Sequence, residues 1–246
     1  MSLSTESEFG TIEAIELKRL TRRGAMQPLL CRGSDGAHYI LKPFSWDRSW
    51  PLVVEWVCAR LGRSVNLPIP NYRQVVVTEE LAEEWNAFNP RKIEPGVGFG
   101  SQQVASAVEF EPSLTPSIPE ALRLRVLAFD WWIRNFDRGE KNPNLLWRAE
   151  TRTMHVIDHD QAGQMNNAAL FWETHLFRTS APPEVPWFPP DLQREFAVAL
   201  AKLLPSPLIA ELPSTWTTDP GAVTWLIRTL NQSLQDASHR DWRNHD

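Results

Sequence analysis

Apolar and polar positions alternate in three short stretches near the start of the chain, which is the pattern of a half-buried β-strand. These stretches are Ile12 to Leu20, Pro28 to Arg32 and His38 to Leu41. The Asp35-Gly36 step between the last two is typical of a tight hairpin turn. A fourth run, the apolar Val75 to Val77, predicts a buried strand. The first hundred residues are therefore predicted to be rich in β-structure.

Apolar residues recur at helical spacing in several other segments. From Ser49 to Leu61 they predict a helix with Ser49 as its N-cap and Gly62 as its C-terminal stop. Thr78 to Phe88 predicts a short surface helix, and the glycine-rich Glu94 to Gly100 predicts a flexible connection. Three later helices are predicted near Ala168 to Phe177, Asp191 to Leu204 and Gly221 to Ala237.

A proline-rich segment divides the chain. Pro112 to Pro119 carries three prolines in eight residues, which breaks regular structure. We therefore expect an N-lobe over residues 10–112 and a C-lobe over 113–246, preceded by a disordered N-terminus at 1–9. Ser117 to Glu120 matches a capping box and is predicted to open an apolar, buried helix that ends near Arg134.

Two apolar, β-prone runs follow this helix, at Leu145 to Trp147 and His155 to Ile157. The polar residues between them favour a hairpin turn. A hairpin would return Asp158 to the neighbourhood of Asn142. We therefore expect these two residues, sixteen apart in sequence, to lie at the same end of the ladder.

Asp137, Asn142 and Asp158 are the side chains that phosphoryl transfer needs. That chemistry requires a carboxylate that faces the acceptor hydroxyl, and amide and carboxylate oxygens that hold Mg²⁺. Asp160 is either a further Mg²⁺ ligand or an acceptor within a turn. Each residue alone also fits ordinary turn chemistry, as in Asn142-Pro143-Asn144, but the ordered set favours a catalytic and metal-binding site.

Two other features of the first hundred residues suggest contacts with charged groups. The loop from Thr21 to Gln27 is short enough to fold over a nucleotide's phosphates with its backbone N–H groups, Arg23 and Gly24. An ordinary exposed hairpin turn remains open for this loop, because it holds one glycine. Glu55 lies within the apolar run of the predicted helix, where an unpaired carboxylate would be costly to bury. We therefore expect Glu55 to meet a cation.

Composition narrows the class of protein. The 246-residue chain is 42% hydrophobic, and its formal charge of −5 disfavours general nucleic-acid binding. Its two isolated cysteines suggest neither zinc nor a disulfide framework, and fit a cytoplasmic setting. We expect no secretory signal, and no run approaches the roughly 18 apolar residues of a membrane span. His155 and His159 bracket a predicted strand end, where they would not share a face, so a zinc site is disfavoured.

The segments N-F-D-R-G-E-K-N-P-N and I-D-H-D resemble the HipA-like kinase family and its phosphoinositide-kinase relatives, within the protein-kinase-like folds. The resemblance implies an α+β, two-lobed protein-kinase-like fold, with a β-rich N-lobe and a mostly helical C-lobe. It also implies ATP and Mg²⁺ as cofactors. By this likeness Asp137 orients the acceptor hydroxyl, Asn142 and Asp158 bind the metal, and Lys141 steadies the γ-phosphate.

The same resemblance assigns a role to Lys42. Its context, Y-I-L-K, is similar to the V-A-I-K strand of kinases, whose lysine grips the α- and β-phosphates and pairs with a helix glutamate. The resemblance identifies that glutamate as Glu55. The chain is shorter than full-length HipA toxins, and we expect it to lack their extra N-terminal subdomain. Toxin activity and pairing with an antitoxin are therefore not implied.

Three functional hypotheses follow. The leading one is an ATP- and Mg²⁺-dependent phosphotransferase that acts on a protein serine or threonine. The second is a kinase for a lipid headgroup or a small molecule. The third is a catalytically weak, kinase-shaped interaction module that holds a regulatory protein partner through exposed tryptophans and proline-rich surface. The A-P-E signature of eukaryotic protein kinases is absent from the sequence, so peptide recognition of the usual kind is unsupported.

Overall fold

The computed structural model describes residues 10–20, 28–163, 168–180, 189–203 and 205–239. Residues 1–9, and the predicted phosphate loop with Arg23 and Gly24, lie outside this part. The chain forms two compact units. The first contains the described residues up to Leu52, Pro70–Val104 and Pro213–Trp216, and the second contains Val53–Ile69, Ala105–Leu212 and the residues from Thr217 onward. The division into lobes at residue 112 stays a prediction.

The first unit is built on five strands. They are β1 (Thr11–Leu20), β2 (Leu29–Gly33), β3 (His38–Lys42), β4 (Tyr72–Val77) and β5 (Gly96–Gln102). They form a closed barrel in the order β1-β2-β3-β5-β4, in which every neighbouring pair is antiparallel except the parallel pair β1 and β4. Leu29, Cys31, Tyr39 and Leu41 are almost fully buried. The alternating pattern therefore gave the first three strands correctly, and Val75 to Val77 lies within a fourth.

Helix α2 (Glu79–Phe88) covers part of this barrel. The Thr78 hydroxyl accepts a hydrogen bond from the Leu81 N–H at 3.2 Å, which caps the first turn. Ala82 and Trp85 face inward and join the barrel core, while the glutamates of the helix face solvent. The predicted surface helix over Thr78 to Phe88 is confirmed.

The predicted flexible connection at Glu94 to Gly100 is wrong, because most of it is strand β5, paired with both β3 and β4. Its glycines permit close approach of neighbouring groups. A Cβ on Gly98 would lie 2.5 Å from the backbone oxygen of Lys42, and one on Gly100 would lie 2.5 Å from Val75 Cγ2. The glycines therefore allow tight packing inside a sheet rather than flexibility.

Helix α1 (Trp50–Ser64) runs three residues beyond its predicted end. Gly62 does not stop it, since this glycine gives Ile69 room to pack: a Cβ there would lie 3.0 Å from Ile69 Cγ1. Asn66 ends the helix instead, with φ of 57°. The Leu67 N–H donates to the Gly62 carbonyl at 2.9 Å and the Asn66 N–H to the Arg63 carbonyl at 3.1 Å, a left-handed C-terminal cap.

The second unit contains a three-stranded antiparallel sheet of β6 (Val108–Glu109), β7 (Leu145–Arg148) and β8 (Thr153–Val156). Leu145 pairs with Val156, and Arg148 with Thr153. The Ile157 N–H donates to the Asn144 carbonyl at 3.1 Å, which adds one rung beyond the strands. The predicted hairpin is confirmed.

Helix α3 (Glu120–Trp132) is the central helix of this unit, buried from Val126 to Trp132 as predicted. Trp132 stacks on Phe196 at 4.8 Å, and its indole N–H donates to the Leu230 carbonyl. The predicted capping box is wrong. Ser117 belongs to a 3₁₀ helix (Pro112–Ser117), so Pro119 occupies the N-cap and no side chain caps the helix.

The remaining helices are α4 (Ala168–Thr174), α5 (Pro190–Lys202), α6 (Pro205–Glu211) and α7 (Pro220–His239), with a 3₁₀ helix at Arg178–Ser180. Helix α6 was not predicted. Helix α4 ends three residues before its predicted end because the next residues bond elsewhere: the Leu176 N–H donates to the Arg138 carbonyl at 3.0 Å. Within the described ranges, no helix has both the length and the apolar character needed to cross a bilayer.

Candidate active site

Asp137 lies in the loop between α3 and β7, within the second unit. Its backbone N–H donates to Asn135 Oδ1. Its carboxylate oxygen Oδ2 accepts from the side-chain amides of Asn142, at 2.9 Å, and Asn144, at 3.0 Å. No hydrogen bond from the described part of the chain reaches the other oxygen, Oδ1. The half-buried carboxylate is therefore fixed through Oδ2, and Oδ1 can accept a hydrogen bond from a bound molecule.

A buried charged cluster lies beneath this loop. The Arg138 guanidinium contacts both carboxylate oxygens of Asp130, at 2.6 and 3.3 Å, and both side chains are fully buried. His175 Nδ1 accepts from the Phe177 N–H, so Nε2 carries the proton and donates to Asp130 at 3.0 Å. The Asn135 amide also donates to Asp130. Asp130 therefore anchors three side chains.

The protonation states of this cluster follow from burial and charge. Burial alone would raise the pKa of Asp130, but the Arg138 guanidinium and His175 together lower it well below its usual range. Burial lowers the pKa of His175, and its hydrogen bond to Asp130 only partly opposes this effect. At neutral pH the cluster thus contains a carboxylate, a guanidinium and a neutral imidazole.

Arg138 also holds the hairpin. Its Nη1 donates to the carbonyls of Pro143 at 3.2 Å, Asn144 at 2.5 Å and Ile157 at 3.3 Å. Asn144 precedes β7 and Ile157 follows β8, so one guanidinium contacts both ends of the ladder. Arg138 therefore supports the loop through the Asp130 carboxylate and through these carbonyls.

Three carboxylates lie close together near the end of β8. Oxygen atoms of Glu55, Asp158 and Asp160, one from each, lie within 4.8 Å of one another. Glu55 and Asp160 are buried, and Asp158 is half-buried. Asp158 adopts φ of 61°, a left-handed conformation that Asp tolerates better than most residues. The predicted metal ligands Asp158 and Asp160 are thus close together, and Glu55 joins them.

His159 connects this acidic cluster to the helices. Its backbone N–H donates to Glu55 Oε2 at 2.8 Å, and its ring packs edge-on against Phe129. The imidazole is 1% exposed, and neither ring nitrogen has a hydrogen-bond partner among the residues that the structure describes. Its Nδ1 lies 3.6 Å from Glu55 Oε1.

The donor set suits a hard divalent cation. Mg²⁺ and similar ions take oxygen ligands, and carboxylates are the usual protein source of these oxygens. Opposite ligands of an ion with bonds of about 2.1 to 2.4 Å are about 4.2 to 4.8 Å apart, which is compatible with the observed cluster. The residues present therefore fit a magnesium-type metal site.

The other predicted site residues divide between the units. Asn142 is exposed and contacts Asp137, while Lys141 is exposed on the turn in which the Gly139 N–H donates to the Asn142 carbonyl. Lys42 is buried at the end of β3 in the first unit. Its pairing with Glu55 of the second unit stays a prediction, as do the roles of Arg23 and Gly24.

Sequence reasoning missed three residues of this region: Asn144, Asp130 and His175. Asn144 lies in the N-P-N motif, whose spacing by itself indicates only turn chemistry. Asp130 could have been found as well, because an acidic residue within a buried apolar helix requires a polar partner. His175 gave no comparable signal, because it lies 45 residues from Asp130 in sequence.

Comparison with known proteins identifies the family to which this chain is related. A family model described as HipA-like kinase matches residues 14–245. Among solved structures, the Helicobacter pylori proinflammatory kinase CtkA is similar with a TM-score of 0.51 and 10% identity, covering 94% of this chain and 95% of that chain. The Golgi casein kinase has a TM-score of 0.41 and 13% identity, with coverage of 92% and 71%. No curated protein matches the chain in sequence.

At 10% identity the likeness to CtkA supports the fold alone, and that fold is a kinase's. The family model also supports the kinase activity, because it matches nearly the whole chain. The protein is accordingly a kinase-type phosphotransferase. The chain belongs to the HipA-like kinase family.

Proposed function

We propose that this kinase transfers the γ-phosphoryl group of ATP, bound with Mg²⁺, to a serine or threonine hydroxyl of a protein. Asp137 orients and accepts the proton of the acceptor hydroxyl. Asn142, Asp158 and Asp160 hold Mg²⁺, which neutralises negative charge on the phosphates when bound. Positioning and electrostatic stabilisation carry most of the catalysis of this reaction class.

The proposal depends above all on the hydrogen bonding of the Asp137 carboxylate. Its Oδ2 is held by two amide N–H groups, and its Oδ1 has no hydrogen bond within the described residues. A carboxylate fixed in this way is preorganised to receive one further donor, as a base that faces a hydroxyl must be. Because the Asn142 amide nitrogen points to Asp137, its amide oxygen is left for the metal.

The nucleotide contacts are proposed from the sequence and the family. Lys42 is the proposed ligand of the α- and β-phosphates, paired with Glu55, and Lys141 is the proposed contact of the γ-phosphate. Arg23 and Gly24 are proposed to cover the phosphates. The proposals for Lys42, Glu55 and Lys141 rest on the resemblance of their motifs to kinase motifs, in a chain that matches the HipA-like kinase model from residue 14 to residue 245.

The test combines calorimetry with a transfer assay. Isothermal titration with ATP and Mg²⁺ measures binding, and labelled ATP measures transfer to the protein itself, to a mixed protein extract, to phosphoinositide vesicles and to small alcohols. Phosphoamino-acid analysis then identifies serine or threonine. We expect Asp137→Asn to lower transfer by roughly 10²- to 10⁴-fold while nucleotide affinity changes little, because a positioned base acts on the rate.

Asp191→Asn is the matched control, since Asp191 is an exposed carboxylate on α5 whose loss should leave transfer unchanged. A folded sample that gives no heat with ATP and Mg²⁺ would reject the proposal. Transfer that is equally fast in Asp137→Asn would reject the role of Asp137. Label found only on lipid or small alcohols would replace the protein acceptor with a lipid or small-molecule one.

A further inference from the structure

We propose that Asn144 is a positioning residue, whose buried side-chain amide holds the Asp137 carboxylate in the orientation that phosphoryl transfer needs. This role rests on the proposed function, in which Asp137 faces the acceptor hydroxyl. It belongs to a residue for which the sequence indicates only turn chemistry. Asn144 acts through Asp137, so its loss should lower the rate of transfer more than the affinity for nucleotide.

The two amides that hold Asp137 Oδ2 differ in their exposure to water. The Asn142 side chain, at 2.9 Å, belongs to an exposed residue, whereas Asn144, at 3.0 Å, is 9% exposed. Water competes for a hydrogen bond at the surface, while a buried donor that loses its partner pays the full cost of desolvation. Asn142 also has a second proposed task as a metal ligand. The Asn144 amide is therefore the donor that fixes Oδ2 more firmly.

The backbone of Asn144 is fixed as well. Its carbonyl accepts from Arg138 Nη1 at 2.5 Å and from the Ile157 N–H at 3.1 Å. Its φ of 48° is left-handed, which asparagine and aspartate adopt more readily than most other residues. Asparagine meets both requirements of this position, a left-handed backbone and a side-chain N–H donor. Aspartate would meet only the first, and glycine would likewise supply the backbone without the donor.

The experiment compares Asn144→Gly with the parent chain, because glycine removes the amide without straining the left-handed backbone. Labelled ATP and Mg²⁺ are used, with the chain itself and a serine-containing peptide as acceptors. We expect kcat to fall by roughly 10- to 100-fold, since a small misplacement of a catalytic group acts on the rate. The KM for ATP should change by less than about threefold. Asn66→Gly is the matched control: Asn66 is exposed, has φ of 57°, and should leave transfer unchanged.

A double variant separates positioning from a general structural role. If Asn144 acts through Asp137, then adding Asn144→Gly to Asp137→Asn should lower the residual transfer by less than about twofold, because the two changes remove the same contribution. A further loss of about 10-fold or more in the double variant would overturn the inference, since independent effects multiply. An unchanged kcat in Asn144→Gly would overturn it as well.

A measurement without nucleotide tests the contact itself. The side-chain amide signals of Asn144 in a ¹H–¹⁵N spectrum, identified by their loss in Asn144→Gly, should shift in Asp137→Asn. They should stay unchanged in Asp191→Asn, which alters a surface carboxylate on α5. Transfer by the parent chain, combined with signals that do not move in Asp137→Asn, would reject this inference alone. Shifted signals in a chain that transfers no phosphoryl group would reject the proposed function, and the catalytic role of Asn144 with it.

Discussion

Replacement of Arg138 by methionine removes the guanidinium that the buried carboxylate of Asp130 contacts directly. Within the described part of the chain, Arg138 makes five hydrogen bonds, two to Asp130 and three to backbone carbonyls of the hairpin ends. Removal of one partner of a buried ion pair typically costs about 3 to 5 kcal/mol. For a chain of this length that loss corresponds to a decrease in melting temperature of roughly 6 to 20 °C.

The assay is chemical and thermal unfolding of three variants at neutral pH. Arg194→Met is the control, because Arg194 pairs with Asp191 at the surface, where such pairs contribute about 0 to 1 kcal/mol. Arg138→Lys should lie between the two, since lysine keeps the charge but lacks the planar fork that reaches several acceptors. A double variant with Asp130→Asn should lose less than the sum of the single changes. A loss below about 1 kcal/mol for Arg138→Met would refute the reasoning.

Two further predictions concern acid and packing. Folding lowers the pKa values of both Asp130 and His175. Each group therefore contributes its full stabilisation at a pH above its unfolded pKa, which is near 3.9 for Asp and 6.5 for His. The free energy of unfolding decreases as the pH falls below that value. Urea unfolding from pH 8 to pH 4 should therefore show falling stability below about pH 6.5, and His175→Gln should flatten this slope. Gly98→Ala should lower the free energy of unfolding by about 1 to 3 kcal/mol, because the added Cβ would collide with a backbone oxygen. Gly221→Ala is the control, since its Cβ would contact only the end of a movable side chain. Thermal unfolding should show almost no change for this control.

The elements that sequence reasoning found are those whose cause is local. The β7–β8 hairpin follows from two apolar runs around a polar turn, and its register places Ile157 opposite Asn144. The proximity of Asp158 and Asp160 follows from their spacing alone. Residues with partners a few positions away can therefore be predicted from pattern and spacing.

The failures have the opposite cause. The sequence predicts a flexible connection at strand β5 because its glycines show no local periodicity. In the structure Val75 and the Lys42 backbone pack against these glycines, and this packing is what requires them. Gly62 looked like a helix stop for the same reason, although Ile69 is what requires the glycine. The partnership of His175 with Asp130 depends on how the chain returns after α4. Each error concerns a residue whose role depends on a neighbour distant in sequence.

Arg138 shows how these local and distant contacts combine in the candidate site. It follows Asp137 directly in sequence, yet its side chain points into the core, where Asp130 holds it. From there it donates to the carbonyls of Asn144 and Ile157. Asn144 in turn contacts Asp137, and Ile157 precedes Asp158, so both sets of proposed functional residues depend on the same guanidinium. The left-handed conformations of Asn144 and Asp158, with φ of 48° and 61°, cost free energy that such fixed contacts offset. The stability of this buried cluster and the geometry of the site are therefore physically coupled.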